Sequence, residues 1–67
     1  MRIRLNGEQV DIPEEVNSVE KLLAHFKLEN RIAIVEINEE IIKKEDYKTI
    51  KLANGDVIEI VQFVGGG

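Results

Sequence analysis

The chain has no cysteine and no tryptophan, and it carries a single histidine (His25), serine (Ser18), threonine (Thr49), tyrosine (Tyr47) and proline (Pro13). Without cysteine there are no disulfides, iron–sulfur clusters or thiolate chemistry, and the composition fits a reducing cytoplasm. Nucleophilic catalysis needs an activated nucleophile, a base within reach and a third group to orient it. One Ser, one Thr and one His do not readily supply that set, so the chain reads as something other than an enzyme. A structural zinc site draws on several Cys or His ligands converging on one point, and this inventory offers no metal site. No apolar run approaches the ~20 residues of a membrane span, and Met1-Arg2-Ile3-Arg4 leads into alternating sequence rather than the apolar core of a signal peptide. The expectation is a soluble cytoplasmic protein.

The surplus of charge has one sign. Nine Lys and Arg stand against 13 Asp and Glu, a formal net charge of -4. Phosphate backbones require a basic face, so nucleic acid is not the expected partner. A partner with a basic docking surface is. With 67 residues the chain makes one domain, and a domain of that size buries only about 60% of the surface its unfolded form exposes. The 43% hydrophobic content suffices for a small core.

Ile3 and Leu5 alternate with Arg2 and Arg4, Asn6-Gly7 interrupts, and Val10 and Ile12 alternate with Gln9 and Asp11. This pattern predicts a hairpin around an Asn-Gly turn, ended by Pro13, which removes a donor and fixes its own φ. Val19, Leu22, Leu23 and Phe26 fall at i, i+3, i+4 and i+7 and predict a helix with one apolar stripe. Asn17 with Glu20 makes a variant capping box, and Ser18 is the other candidate cap. His25 reads as a partly exposed helical residue, and Arg2, Arg4 and Arg31 as exposed positions.

Ile32 to Ile37 predicts a strand, Asn38-Glu39-Glu40 a polar break, and Ile41-Ile42 a second short strand. Lys43-Lys44-Glu45-Asp46 is a solvated loop or one helical turn with the Tyr47 ring beneath it. Lys48 to Leu52 adds a further extended piece, and Ala53-Asn54-Gly55-Asp56 turns the chain into a last strand from Asp56 to Val64. The order ββ, α, ββ, β implies an α+β domain, a mixed sheet with one helix packed on one face.

Alternation places side chains. If Ile58 and Ile60 point to the core, Val57, Glu59, Val61 and Phe63 face the other side. In the neighbouring strand Ala33, Val35 and Ile37 are internal, and Ile34 and Glu36 are outside. Ile34, Val61 and Phe63 then form a small exposed apolar patch, continued by Val64 and rimmed by Glu36 and Glu59, and this patch is the expected docking surface. Beyond it, Gly65-Gly66-Gly67 gives a stalk without side chains, reaching roughly 10 Å at ~3.5 Å per residue. Glycine lets another backbone approach closely, so the stalk fits a partner's narrow active site. Residues 1–64 are expected to form the domain and residues 65–67 a flexible tail.

The element order, Ile34-Val35-Glu36-Ile37-Asn38 followed by Ile41-Ile42, the turn Asn54-Gly55-Asp56 before Val57-Ile58, and the ending Phe63-Val64-Gly65-Gly66-Gly67 together resemble the ThiS family over essentially the whole chain. These are small sulfur carriers of thiamine biosynthesis, ubiquitin-like proteins of β-grasp fold. The resemblance implies that Gly67 is the sulfur-carrying residue, with Gly66 completing the diglycine. An E1-like adenylyltransferase, using ATP and magnesium that belong to that partner, would join the terminal carboxylate to AMP. Sulfur from a cysteine desulfurase relay would then displace the AMP to leave a thiocarboxylate, on which thiazole synthase draws. No bound cofactor is implied, and Gly65 to Gly67 lacks the Lys and helix of a phosphate-binding loop. Two alternatives stay open: a small subunit of molybdopterin synthase, which shares fold and diglycine, and a ubiquitin-like modifier or binding module.

Overall fold

A computed structural model describes residues 1–63. The strands are β1 (Arg2–Leu5), β2 (Glu8–Asp11), β3 (Ala33–Ile37), β4 (Glu40–Ile42) and β5 (Val57–Gln62), with one helix, α1 (Val19–His25), and a 3₁₀ turn at Lys44–Asp46. They form one five-stranded sheet in the order β2-β1-β5-β3-β4. The hairpins β1–β2 and β3–β4 are antiparallel, β5 runs antiparallel to β3, and β5 runs parallel to β1. The last strand of the chain is therefore the central strand of the sheet. This is the mixed sheet with one packed helix that the element order implied.

Both hairpins close through two residues with positive φ, Asn6 (49°) and Gly7 (84°) in one, Asn38 (51°) and Glu39 (71°) in the other. Two positive φ values give the turn the twist of the strands it joins. Asn and Gly adopt that conformation readily; Glu39 does so against its side chain. The sequence therefore announced the first turn but not the residues of the second, and Glu40, read as part of the break, opens β4.

Helix α1 begins at the second of its two candidate caps and ends earlier than its apolar stripe predicts. Its cap is Ser18, whose Oγ accepts from the Lys21 N–H at 3.2 Å; the Asn17–Glu20 box does not form. The reason is tertiary. The Asn17 carbonyl accepts from the Leu52 N–H at 2.9 Å and Ser18 makes an isolated bridge with Lys51, so this stretch is held extended until Ser18. That bridge is also all that exists of the extended piece expected over Lys48 to Leu52. At the other end Lys27 takes φ 60°, and the Lys27 and Leu28 N–H groups donate to the Ala24 and Leu23 carbonyls at 3.0 and 2.7 Å. This is the paired closure of a left-handed helix stop, made here without glycine. Leu28 thereby packs against the core in place of Phe26, which is 38% exposed. The apolar stripe ends one turn early.

Val19, Leu22 and Leu23 from the helix meet Ile3, Val35, Ile37, Ile58 and Ile60 from the sheet, with Ile12, Val16 and Leu52 closing the sides. The residues expected inward on β3 and β5 are inward: Ile58 and Val35 are fully buried, Ile60 and Ile37 nearly so, and Ala33 half-buried. Tyr47 packs against this cluster beside the 3₁₀ turn, as anticipated. Among the described residues no helix is long and apolar enough to cross a membrane.

Candidate functional site

Chemistry-bearing side chains do not converge anywhere in the described residues. No group of three or more His, Cys, Asp or Glu is placed to hold a metal ion there. His25 is exposed at the helix end, edge-on to the Phe26 ring at 4.9 Å between centroids. Ser18 is buried and committed to its cap. The Thr49 hydroxyl donates to the Asp46 carbonyl at 3.3 Å. What remains is the outer face of the sheet and the strand that leads to the glycine end.

The register fixes that face. In the β3–β5 ladder Ile34 lies opposite Val61 and Glu36 opposite Glu59. One step further the Phe63 N–H donates to the Ile32 carbonyl at 3.0 Å, which sets Phe63 beside Ile32. Side chains alternate across a strand, so Ile32, Ile34, Val61 and Phe63 share the outer face in two adjacent rows. All are exposed: Ile34 38%, Val61 50%, Phe63 54% and Ile32 74%. The three patch residues expected from alternation are thus brought together. Glu59 is exposed and Glu36 half-buried, in the next row away from the chain end.

Two apolar members were not foreseen. Ile32, read as the first residue of the strand and given no face, lies just before β3. Ile41, 67% exposed, pairs with Glu36 from the β4 side, where a three-residue strand gave too little alternation to assign its faces. Val64, Gly65, Gly66 and Gly67, also expected to belong to the site, lie outside the described residues.

Asparagine side chains hold β5 in place. The Asn38 N–H donates to the Val57 carbonyl at 2.7 Å and Asn38 Oδ1 accepts from the Val57 N–H at 3.0 Å. Asn54 Oδ1 accepts from the Arg2 N–H, and the Gly55 N–H donates to the Arg2 carbonyl, both at 2.8 Å. Asn6 does the same at the far end of β1. Its N–H donates to the Ile58 carbonyl at 2.9 Å, its Oδ1 accepts from the Ile60 N–H at 2.8 Å, and its Nδ2 donates to the Ile60 carbonyl at 3.3 Å. A side-chain amide here substitutes for the next peptide group of β1. The central strand is therefore hydrogen-bonded on both sides as far as Ile60.

The arrangement can present an exposed apolar surface beside the last described residues of the central strand. The ThiS family model matches residues 3–67. The sulfur carrier protein ThiS of Bacillus subtilis is 51% identical over 65 residues, which are 97% of this chain and 98% of that one. A thiazole synthase of Paramagnetospirillum magneticum is 37% identical over all of this chain, which corresponds to 20% of the synthase's length. Among solved structures, the thiamine biosynthesis protein ThiS from Geobacter metallireducens superposes with a TM-score of 0.83 at 28% identity, each chain covered completely.

Proposed function

The chain belongs to the ThiS family, and from that premise we propose that it is a sulfur carrier, not an enzyme, whose Gly67 carboxylate is the group its partners modify. The observation that carries this reading is the full-length match to a protein named as a sulfur carrier. The fold supports it: reactive side chains are scattered, and the central strand runs toward the glycine end flanked by an exposed apolar face.

An ionised main-chain carboxylate, with a pKa of about 3.5, is a poor acyl donor at neutral pH. It has to be activated. In the proposed sequence an E1-like adenylyltransferase, supplying its own magnesium and ATP, transfers AMP to the carboxylate with release of pyrophosphate. The terminal sulfur of a persulfide on a cysteine desulfurase relay then displaces AMP to give an acyl disulfide, and a thiol reductant cleaves its S–S bond and leaves the thiocarboxylate. Gly65 and Gly66 provide a thread thin enough to enter both partners' active sites. Ile34, Val61, Phe63 and Val64 dock those partners, with Glu36 and Glu59 meeting basic residues at the rim.

Thiazole synthase is the proposed acceptor. Two relatives named thiazole synthase contain a segment matching this whole chain within a polypeptide about five times its length, and covalent linkage supports a working contact between the two parts. The cytoplasm is the proposed compartment. Intact mass of the protein isolated from its native host tests the reading: exchange of one terminal oxygen for sulfur is expected, together with a thiazole requirement after deletion of Gly67. An isopeptide to lysines of other proteins would instead mark a modifier and overturn it.

A further inference from the structure

The central strand of this sheet has a gap beside it at Gln62, the last residue of β5. Hydrogen bonds from the Asn38 N–H to Val57 and from the Phe63 N–H to Ile32 fix which β5 residues turn their main-chain groups toward β3. In an antiparallel ladder these alternate, so Val57, Glu59, Val61 and Phe63 bond to β3, and Ile58, Ile60 and Gln62 direct N–H and C=O toward β1. Ile58 is met by the Asn6 main chain and Ile60 by the Asn6 side chain. There β1 ends, because the Asn6-Gly7 turn carries the chain back into β2. Gln62 is the first residue whose N–H and C=O on this side meet no partner among the described residues. Gln62 itself is exposed.

We propose that an extended segment of the adenylating partner adds as a short strand in this gap, in line with β1 beyond Asn6, and hydrogen-bonds the Gln62 main chain. This rests on the carrier reading above and names how the partner grips the strand. One residue of an antiparallel segment satisfies both Gln62 groups. The added segment lies beside Val61 and Phe63, 50% and 54% exposed, so its outward side chains are apolar where they touch this flank. Strand addition of this kind takes affinity from the main chain and specificity from alternate side-chain pockets. Asn6 has two roles in this scheme: it closes the ladder at Ile60 and prevents β1 from occupying the place the partner takes.

The test is a chain synthesised with an ester in place of the Val61–Gln62 amide, which removes the Gln62 N–H outright and only weakens the Val61 carbonyl as an acceptor in the β3 ladder. Its binding to the adenylyltransferase of the same genome is measured without ATP, and its adenylation by pyrophosphate release. The ester chain is expected to stay folded in the absence of denaturant, its midpoint lowered by no more than one weakened ladder bond accounts for, and to bind about fivefold or more weakly, the worth of one hydrogen bond. Gln62→Pro, which removes the same donor where a strand tolerates proline, is expected to reproduce the loss. Wild-type affinity in the ester chain, with adenylation intact, overturns the strand addition and leaves the carrier reading standing. Weakened binding by the ester chain when neither chain is adenylated supports the strand addition and removes the carrier reading. Absence of any binding by the unmodified chain overturns both.

Discussion

Asparagine does the work at single positions. Asn6 combines a positive φ of 49° with three hydrogen bonds to β5, and no other uncharged side chain offers both a tolerated left-handed backbone and a peptide-like amide. Asn6→Ala keeps the main-chain bond to Ile58 and loses the two side-chain bonds to Ile60. The expected cost is about 2–3 kcal/mol from those bonds and the left-handed strain together, read by urea denaturation. Arg2 and Asp11 illustrate a weaker residue-scale effect. They pair across β1–β2 with Arg2 Nε donating to Asp11 Oδ1 at 2.9 Å. That hydrogen bond, and then the charge of Arg2, hold the Asp11 carboxyl below its ordinary range. A depressed carboxyl pKa stabilises the fold above the unfolded value, and the contribution disappears as pH falls through the folded one. Wild type and Arg2→Gln should therefore differ most near neutrality and converge below about pH 4, where carboxylates protonate. NMR titration of Asp11 in the two proteins checks this. Both side chains are more than 60% exposed, so the effect on stability is small.

Element ends are where neighbours overrule local signals. The helix sequence offers Asn17 and Ser18 as adjacent caps, and the choice is made by Leu52 and Lys51, which hold the preceding backbone extended. Ser18→Ala is expected to lose about 1 kcal/mol, the usual worth of a cap, and Asn17→Ala distinctly less, because among the described residues the Asn17 side chain's one hydrogen bond is accepted from the exposed Lys21 Nζ at 3.4 Å. Thermal unfolding of the two variants side by side distinguishes them; equal losses would contradict the cap assignment. The C-terminal end repeats the lesson. Its closure at Lys27 and Leu28 carries no glycine signal, and Phe26 kept the helical spacing while the chain had already turned away. Periodicity sees spacing and not the point at which spacing stops.

For the molecule as a whole, one face of the sheet carries the core and the other the proposed docking surface. At about 0.05–0.15 kcal/mol per residue, a chain of this size has roughly 3–10 kcal/mol in total. Leu22 is fully buried at the centre of the helix–sheet contact. Leu22→Ala is expected to remove about 2–5 kcal/mol, enough to leave a substantial unfolded fraction. Val61→Asp, on the outer face, is expected to leave stability within about 0.5 kcal/mol and to abolish productive contact with the adenylating and synthase partners. Unfolding curves and adenylation rates of the two variants check this contrast. A folded Val61→Asp chain adenylated at the normal rate would remove the outer face from the docking surface.

The sequence by itself determined the element order, the inward and outward residues of β3 and β5, the first hairpin turn and the family resemblance. These depend on period-two patterning and on turn residues such as Asn6-Gly7, information carried by each segment without reference to any other. The tertiary structure alone decided that Ser18 caps the helix, that Leu28 replaces Phe26 in the core, that Ile32 and Ile41 join the outer apolar face, and that β1 stops short of Gln62. Each of those outcomes depends on hydrogen bonds or packing between segments distant in the chain, and a side-chain amide replacing a peptide group leaves no periodic trace in the sequence that encodes it.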